Sequence, residues 1–106
     1  MHYLLFYDYV PDVLTRRDPF RPPHLDLARA FLANGKLKLA GAYADPVDGG
    51  AFVFTSREAA EDFAARDPYI PNGLVPAPRI RDWNVVVGGY RPLRLRLPWR
   101  SSRCPP

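Results

Sequence analysis

Apolar positions run almost without interruption through the first ten residues. His2 to Val10 reads HYLLFYDYV, with Asp8 its only acid. That is the composition of a strand covered on both faces. Strand parity puts Tyr3, Leu5, Tyr7 and Tyr9 on one face and His2, Leu4, Phe6 and Asp8 on the other. PDVLTRRDPFRPP then breaks the pattern with four prolines and reads as a loop. From Pro23 to Asn34 the apolar spacing becomes three and four. Leu25, Ala28 and Leu32, with Leu27 and Phe31, make a broad helical stripe, and Gly35 is its stop.

Residues 36–43, KLKLAGAY, alternate again, with Leu37 and Leu39 on the face opposite Lys36 and Lys38. DPVDGG is a turn and AFVFT a short buried strand. Thr55, Ser56, Arg57 and Glu58 have capping-box spacing and open a second helix, with Ala59, Ala60, Phe63 and Ala64 inside. Asp62 and Arg66 stand one turn apart on its outer side. The helix ends at Asp67, because the following Pro68 steers that residue out of helical geometry. A last strand is expected from Pro78 to Val87.

The order β-α-β-β-α-β predicts an α+β, ferredoxin-like fold: one antiparallel sheet with both helices on one face. The first strand is apolar on both faces, however, and two helices cover only one. An uncovered patch of that size is unusual on a monomer. A homodimer packed through the other sheet face is therefore expected.

At 106 residues the chain is one domain by length, with an ordinary soluble composition. The lone cysteine, Cys104, excludes an internal disulfide and any cysteine-rich metal site. No apolar run approaches the roughly 20 residues of a membrane span. The start has neither a basic leader nor a small-residue cleavage site, so a cytoplasmic protein is expected. The net charge of +4 changes meaning once it is divided. Up to Gly88 there are ten Lys/Arg against eleven Asp/Glu; from Gly89 onward there are five arginines and no acid. Residues 1–88 are thus expected to form the domain and 89–106 a flexible basic tail. Nucleic-acid or membrane contact through that tail is not favoured, and alternation at Leu93, Leu95 and Leu97 also permits an added edge strand.

Of the two histidines, His2 reads as a tolerated terminal residue. His24 sits in the first turn of the first helix, on the face of Leu27, Ala28 and Phe31, and so points toward the sheet. A helix N-terminus disfavours imidazolium unless a carboxylate lies beside it. Asp67 could be that carboxylate, or only a helix-stopping turn residue. Taking each crossover to run the same way, the ends of the two helices need not meet. Spacing alone therefore favours the plain turn.

Several motifs, in order, carry a resemblance. They are Arg21-x-x-His24-Leu25, Gly35-x-Leu37 leading to Ala40-Gly41, the pair Gly49-Gly50, Ser56-x-Glu58-Ala59, and Asp67-Pro68-Tyr69 with Gly73-Leu74. Residues 1–88 resemble the YciI-like (YCII-related) family in nearly their whole length. The sequence departs at Ala42, where the family often has proline, and in the tail. The resemblance implies a dimeric ferredoxin-like fold with a histidine and an aspartate close together in a cleft as an acid–base pair. Carried over, that pair is His24 and Asp67. It also implies small-molecule chemistry: a dehydrochlorinase of a chlorinated hydroxyhydroquinone is a characterised member.

The aspartate would fix the imidazole tautomer and stabilise its protonated form, leaving proton abstraction and return as the available chemistry. Elimination, isomerisation or tautomerisation of a small phenolic molecule fits, with no cofactor and no metal. Arg21, Tyr69 and Tyr7 are the candidates for substrate binding. The same constellation would also serve a non-catalytic, ligand-binding or regulatory homodimer.

Overall fold

The computed structural model describes residues 1–88, and the expected basic tail lies outside them. Seven elements follow one another: β1 (His2–Asp8), α1 (Val13–Arg16), α2 (Arg21–Ala33), β2 (Leu37–Ala42), β3 (Gly49–Phe54), α3 (Arg57–Arg66) and β4 (Arg79–Trp83). The strands form one sheet in the order β2-β3-β1-β4, every neighbouring pair antiparallel. With α2 and α3 laid over one face, this is the expected ferredoxin-like α+β arrangement.

Four local features differ from the sequence reading, each for a definable reason. The proline-rich segment contains the short helix α1, whose Val13 is buried. Four residues are too few to show a period. In β2 a bulge lies between Leu37 and Leu39, so Leu37 pairs with Phe54 and Leu39 with the adjacent Val53. The two leucines therefore face opposite ways: Leu37 is buried and Leu39 is 70% exposed. The third helix is capped by Ser56, whose hydroxyl accepts from the Ala59 N–H at 3.1 Å, while the Thr55 hydroxyl donates to the Gly35 carbonyl instead. The last strand is shorter than expected, ending at Trp83.

The start of α2 needs no cap. The Arg21 and His24 N–H groups bond to the Arg17 and Phe20 carbonyls, and Pro22 and Pro23 have no N–H to satisfy. Strand β1 ends where the Val10 N–H leaves the ladder for the Leu74 carbonyl, tying the strand to the loop after α3.

The core lies between helices and sheet. Leu5, Tyr7, Phe52 and Phe54 project from the sheet, and Phe31, Ala60 and Phe63 close over them. Phe31, Phe54 and Phe63 meet at centroid separations of 5.4–6.2 Å. The outer sheet face carries Leu4, Phe6 and Val53, with Leu39 and the 45% exposed Trp83 beside them. Among the described residues the only buried side-chain nitrogen or oxygen without a partner is Nδ1 of His2, on this face.

Candidate functional site

Strands β1 and β3 are antiparallel, and each leads into a helix that returns over the sheet. The helices α2 and α3 must therefore run antiparallel to each other. This overturns the expectation that topology does not force their ends to meet. The start of α2 and the end of α3 lie at the same end of the layer, above Tyr7 and Gly50.

Asp67 is the C-cap of α3, with extended backbone (φ −73°, ψ 123°), as Pro68 requires. Its carboxylate is fully buried and is met by donors on every side. The Tyr7 hydroxyl donates to Oδ2 at 2.5 Å, and the Tyr69 N–H donates to Oδ1 at 3.1 Å. The latter closes a turn in which the side chain bonds its own backbone two residues on. The Nδ1 of His24 lies 2.9 Å from Oδ1 and 3.0 Å from Oδ2. A carboxylate can only accept, so Nδ1 carries the proton.

The His24 ring is wedged as firmly as it is hydrogen-bonded. Tyr69 stacks on it at 3.9 Å and 7°, and Phe52 and Phe63 meet it edge-on at 6.1 Å. Its Nε2 makes no hydrogen bond among the described residues, yet is not a buried orphan. That nitrogen therefore opens onto the neighbouring cleft, of about 240 Å³.

Tyr9, Arg17, Arg21, His24 and Tyr69 form the polar wall of the cleft. Ala40, Ala42 and Phe52 form the apolar one. The space exists because small residues face the helices here. Gly50 pairs with Ala42, and a Cβ on Gly50 would stand 2.7 Å from the Gly41 carbonyl and 3.3 Å from the Tyr9 hydroxyl. Ala42, where the sequence departs from the pattern it resembles, is thus part of the cleft wall.

Burial dominates the ionisation of the tyrosines. The Tyr7 hydroxyl is held far above its ordinary range, first by burial and then by the charge of Asp67 and their hydrogen bond. Tyr9 is pushed up to about 12, mainly by burial, against the opposing pull of Arg17 and Arg21. Tyr69 is raised by burial, and the same two arginines oppose it. All three phenols are neutral donors at neutral pH.

The structure places His24 against Asp67 and lines the cleft beside them with Arg21 and Tyr69. Tyr7, a substrate-binding candidate, is placed elsewhere: it is fully buried beneath the pair, and its hydroxyl is engaged by Asp67. Arg17 and Tyr9 line the cleft in its stead. Nothing periodic in the sequence marked Arg17 as a cleft residue. Among the described residues no three His, Cys, Asp or Glu side chains gather as a metal-binding group, and no helix is long and apolar enough to cross a membrane.

The YCII-related domain matches residues 1–84. The chain belongs to that family. The fold is also that of 5-chloro-2-hydroxyhydroquinone dehydrochlorinase (TftG) from Burkholderia phenoliruptrix AC1100, solved in complex with 2,5-dihydroxybenzoquinone. That match is 21% identical, covers 79% of this chain and 94% of the other, and has a TM-score of 0.65. Protein Atu4242 from Agrobacterium tumefaciens is more distant: 13% identical over 76% of this chain and 89% of its own, with a TM-score of 0.45. No curated protein sequence matches the chain.

Proposed function

We propose that this YCII-related protein is a small acid–base enzyme of lyase or isomerase type, acting on a small phenolic molecule. In this reading His24 is the proton carrier and Asp67 its orienter. The observation that carries it is the pairing of Nδ1 with a fully buried carboxylate while Nε2 opens onto the cleft. An imidazole so held has one free nitrogen at a fixed place, which is what abstracting and returning a proton needs. Nε2 takes a proton from a substrate hydroxyl, and the electron pair moves into the ring. The proton is returned at a ring carbon, which completes an isomerisation; in an elimination, a second hydroxyl then gives its proton to Nε2 and the leaving group departs from that carbon with its bonding electrons. Asp67 stabilises the imidazolium formed between the two events. Arg21 and Tyr69 contact the substrate, and Tyr7 holds Asp67 from below.

The chemistry attributed to TftG by its name, removal of hydrogen chloride from a chlorinated hydroxyhydroquinone, is of this class and supports the reading. The competing reading is a homodimer that binds a small ligand without changing it. Turnover of a panel of substituted hydroquinones by wild type and His24→Ala separates the two. We expect a loss on the order of 10²–10⁴-fold in kcat in the variant. Ligand binding without turnover in wild type would instead establish the binder.

The reading includes a second copy of the chain on the outer sheet face, where Leu39 and Trp83 stand exposed and His2 Nδ1 lacks a partner. Light scattering should give a dimer mass, and Leu39→Arg should return the monomer. A monomeric wild type would remove the partner from this account.

A further inference from the structure

We propose that Arg17 and Arg21 form an anion subsite at the cleft, and that the natural ligand is a single planar ring bearing a carboxylate. This rests on the cleft being the ligand site, as the proposed function has it.

The first argument is the pairing of the arginines. Arg16, Arg29, Arg57, Arg66 and Arg79 each reach a carboxylate within 4 Å, and Arg81, which reaches none, stands exposed on the outer sheet face beside Leu4. Arg17 and Arg21 make no side-chain hydrogen bond or ion pair among the described residues, and both line the same cleft. Residues 89–106 contain no Asp or Glu that could serve them. No residue lining the cleft is acidic. Of the acids that act on its tyrosines, Asp67 is already surrounded by its own donors and Asp18 is exposed.

The second argument is position. Arg21 is the first residue of α2, and that helix has no acid in its first turn. Stability alone would favour Asp or Glu there, because the helix dipole makes this end positive. The backbone cannot answer an anion either: Pro22 and Pro23 lack N–H groups, and those of Arg21 and His24 are already bonded. Anion binding at this end falls to the two guanidiniums, whose planar forks match a carboxylate. Both act on the hydroxyls of Tyr9 and Tyr69, so the cations and two neutral donors share one region.

The third argument is size and shape. A cavity of about 150 Å³ holds a benzene ring. The cleft, at about 240 Å³, takes one ring with substituents. Tyr69, already stacked on His24, sets a flat wall.

The test compares salicylate with its neutral counterpart salicylamide by calorimetry on the full chain. Wild type should prefer salicylate by about tenfold or more, the factor expected for one hydrogen bond between charged partners. That preference should shrink with added salt. In the Arg17→Gln/Arg21→Gln double variant it should vanish, salicylate affinity falling to that of salicylamide, with the melting temperature retained. Equal affinities in wild type, no binding of either probe, or a preference that survives the double variant would each overturn the proposal. Binding is read here without turnover, so the two readings fail separately. A carboxylate preference in a protein that turns over nothing refutes only the acid–base enzyme. Turnover of a neutral phenol with no carboxylate preference refutes only the subsite.

Discussion

At the end of the sheet where β3 finishes, Phe54 pairs with Leu37 on one side and Tyr3 on the other, and Phe31 and Phe63 close above it. At the end where β3 begins, Gly50 pairs with Ala42 and Tyr7, and above them lie Asp67, His24 and open space. The same sheet face thus runs from large apolar rings to glycine and alanine within one strand. The filled end is mostly apolar and gains its stability from burial and ring contacts. The open end gives up that packing. In its place, one buried carboxylate is surrounded by a phenol, an imidazole and a backbone N–H. Each end depends on the other: the cleft keeps its shape because the far end holds helices and sheet together.

The largest expected effect comes from breaking the filled end. Phe63→Ala removes a fully buried ring that touches Phe31, Phe52 and Phe54, and should lower unfolding free energy by about 3–5 kcal/mol in urea titrations. Phe63 also meets the His24 ring edge-on, so some loosening of the pair should follow. A loss below about 1 kcal/mol would mean that the aromatic end does not carry the fold.

A smaller effect is expected from Tyr7→Phe, which removes one hydroxyl from the open end and leaves the ring. A hydrogen bond to a charged group contributes about 1.5–3 kcal/mol, so a loss in that range should appear at neutral pH. The pH dependence sharpens the assignment. In the folded chain Tyr7 keeps its proton far above the ordinary tyrosine value of 10.0. The unfolded chain releases that proton as pH rises past that value. Below it, both states hold the proton and the contribution is complete. Above it, the unfolded state alone ionises and stability falls. Tyr9, pushed up to about 12, adds to the fall only as far as that pH. Wild type should therefore lose stability above about pH 10 more steeply than Tyr7→Phe. Parallel curves would mean that the hydroxyl is not held as described.

The filled end was the more legible of the two in the sequence. Periodic apolar spacing marks Phe31, Phe54, Ala60 and Phe63, because packing against a layer imposes a period on every residue that joins it. The stripe His24, Leu27, Ala28, Phe31 even placed the histidine toward the sheet. The open end obeys a different logic. The hydrogen bond from Tyr7 to Asp67 spans 60 positions, and that from His24 to Asp67 spans 43, so no local pattern announces either. Antiparallel β1 and β3 do force the start of α2 and the end of α3 together, and that conclusion was available from topology alone. The family motifs reached the same pair by another route. Arg17 had no such help, since a loop residue joins the cleft without any spacing. The bulge at Lys38 was equally hidden, because register depends on the partner strand, and it sent Leu39 to the outer face.

The smallest effect makes the sharpest comparison between the ends, because the same change can be made at both. Ala60 is fully buried on α3 within the core, whereas Ala42 is exposed on the cleft wall. Ala60→Leu forces extra volume into a close-packed region and should cost about 1–3 kcal/mol. Ala42→Leu extends its side chain into a space that the fold leaves empty, so its effect on stability should stay within about 0.5 kcal/mol. Ligand binding should respond in the opposite order: Ala42→Leu blocks a space that holds a single ring, while Ala60→Leu leaves its walls in place. Urea titrations and salicylate calorimetry on the two variants would read both orders. If Ala42→Leu destabilised the chain as much as Ala60→Leu, the cleft would be a packed part of the core. If it bound ligand as well as wild type, the space beside His24 would not be where the ligand sits.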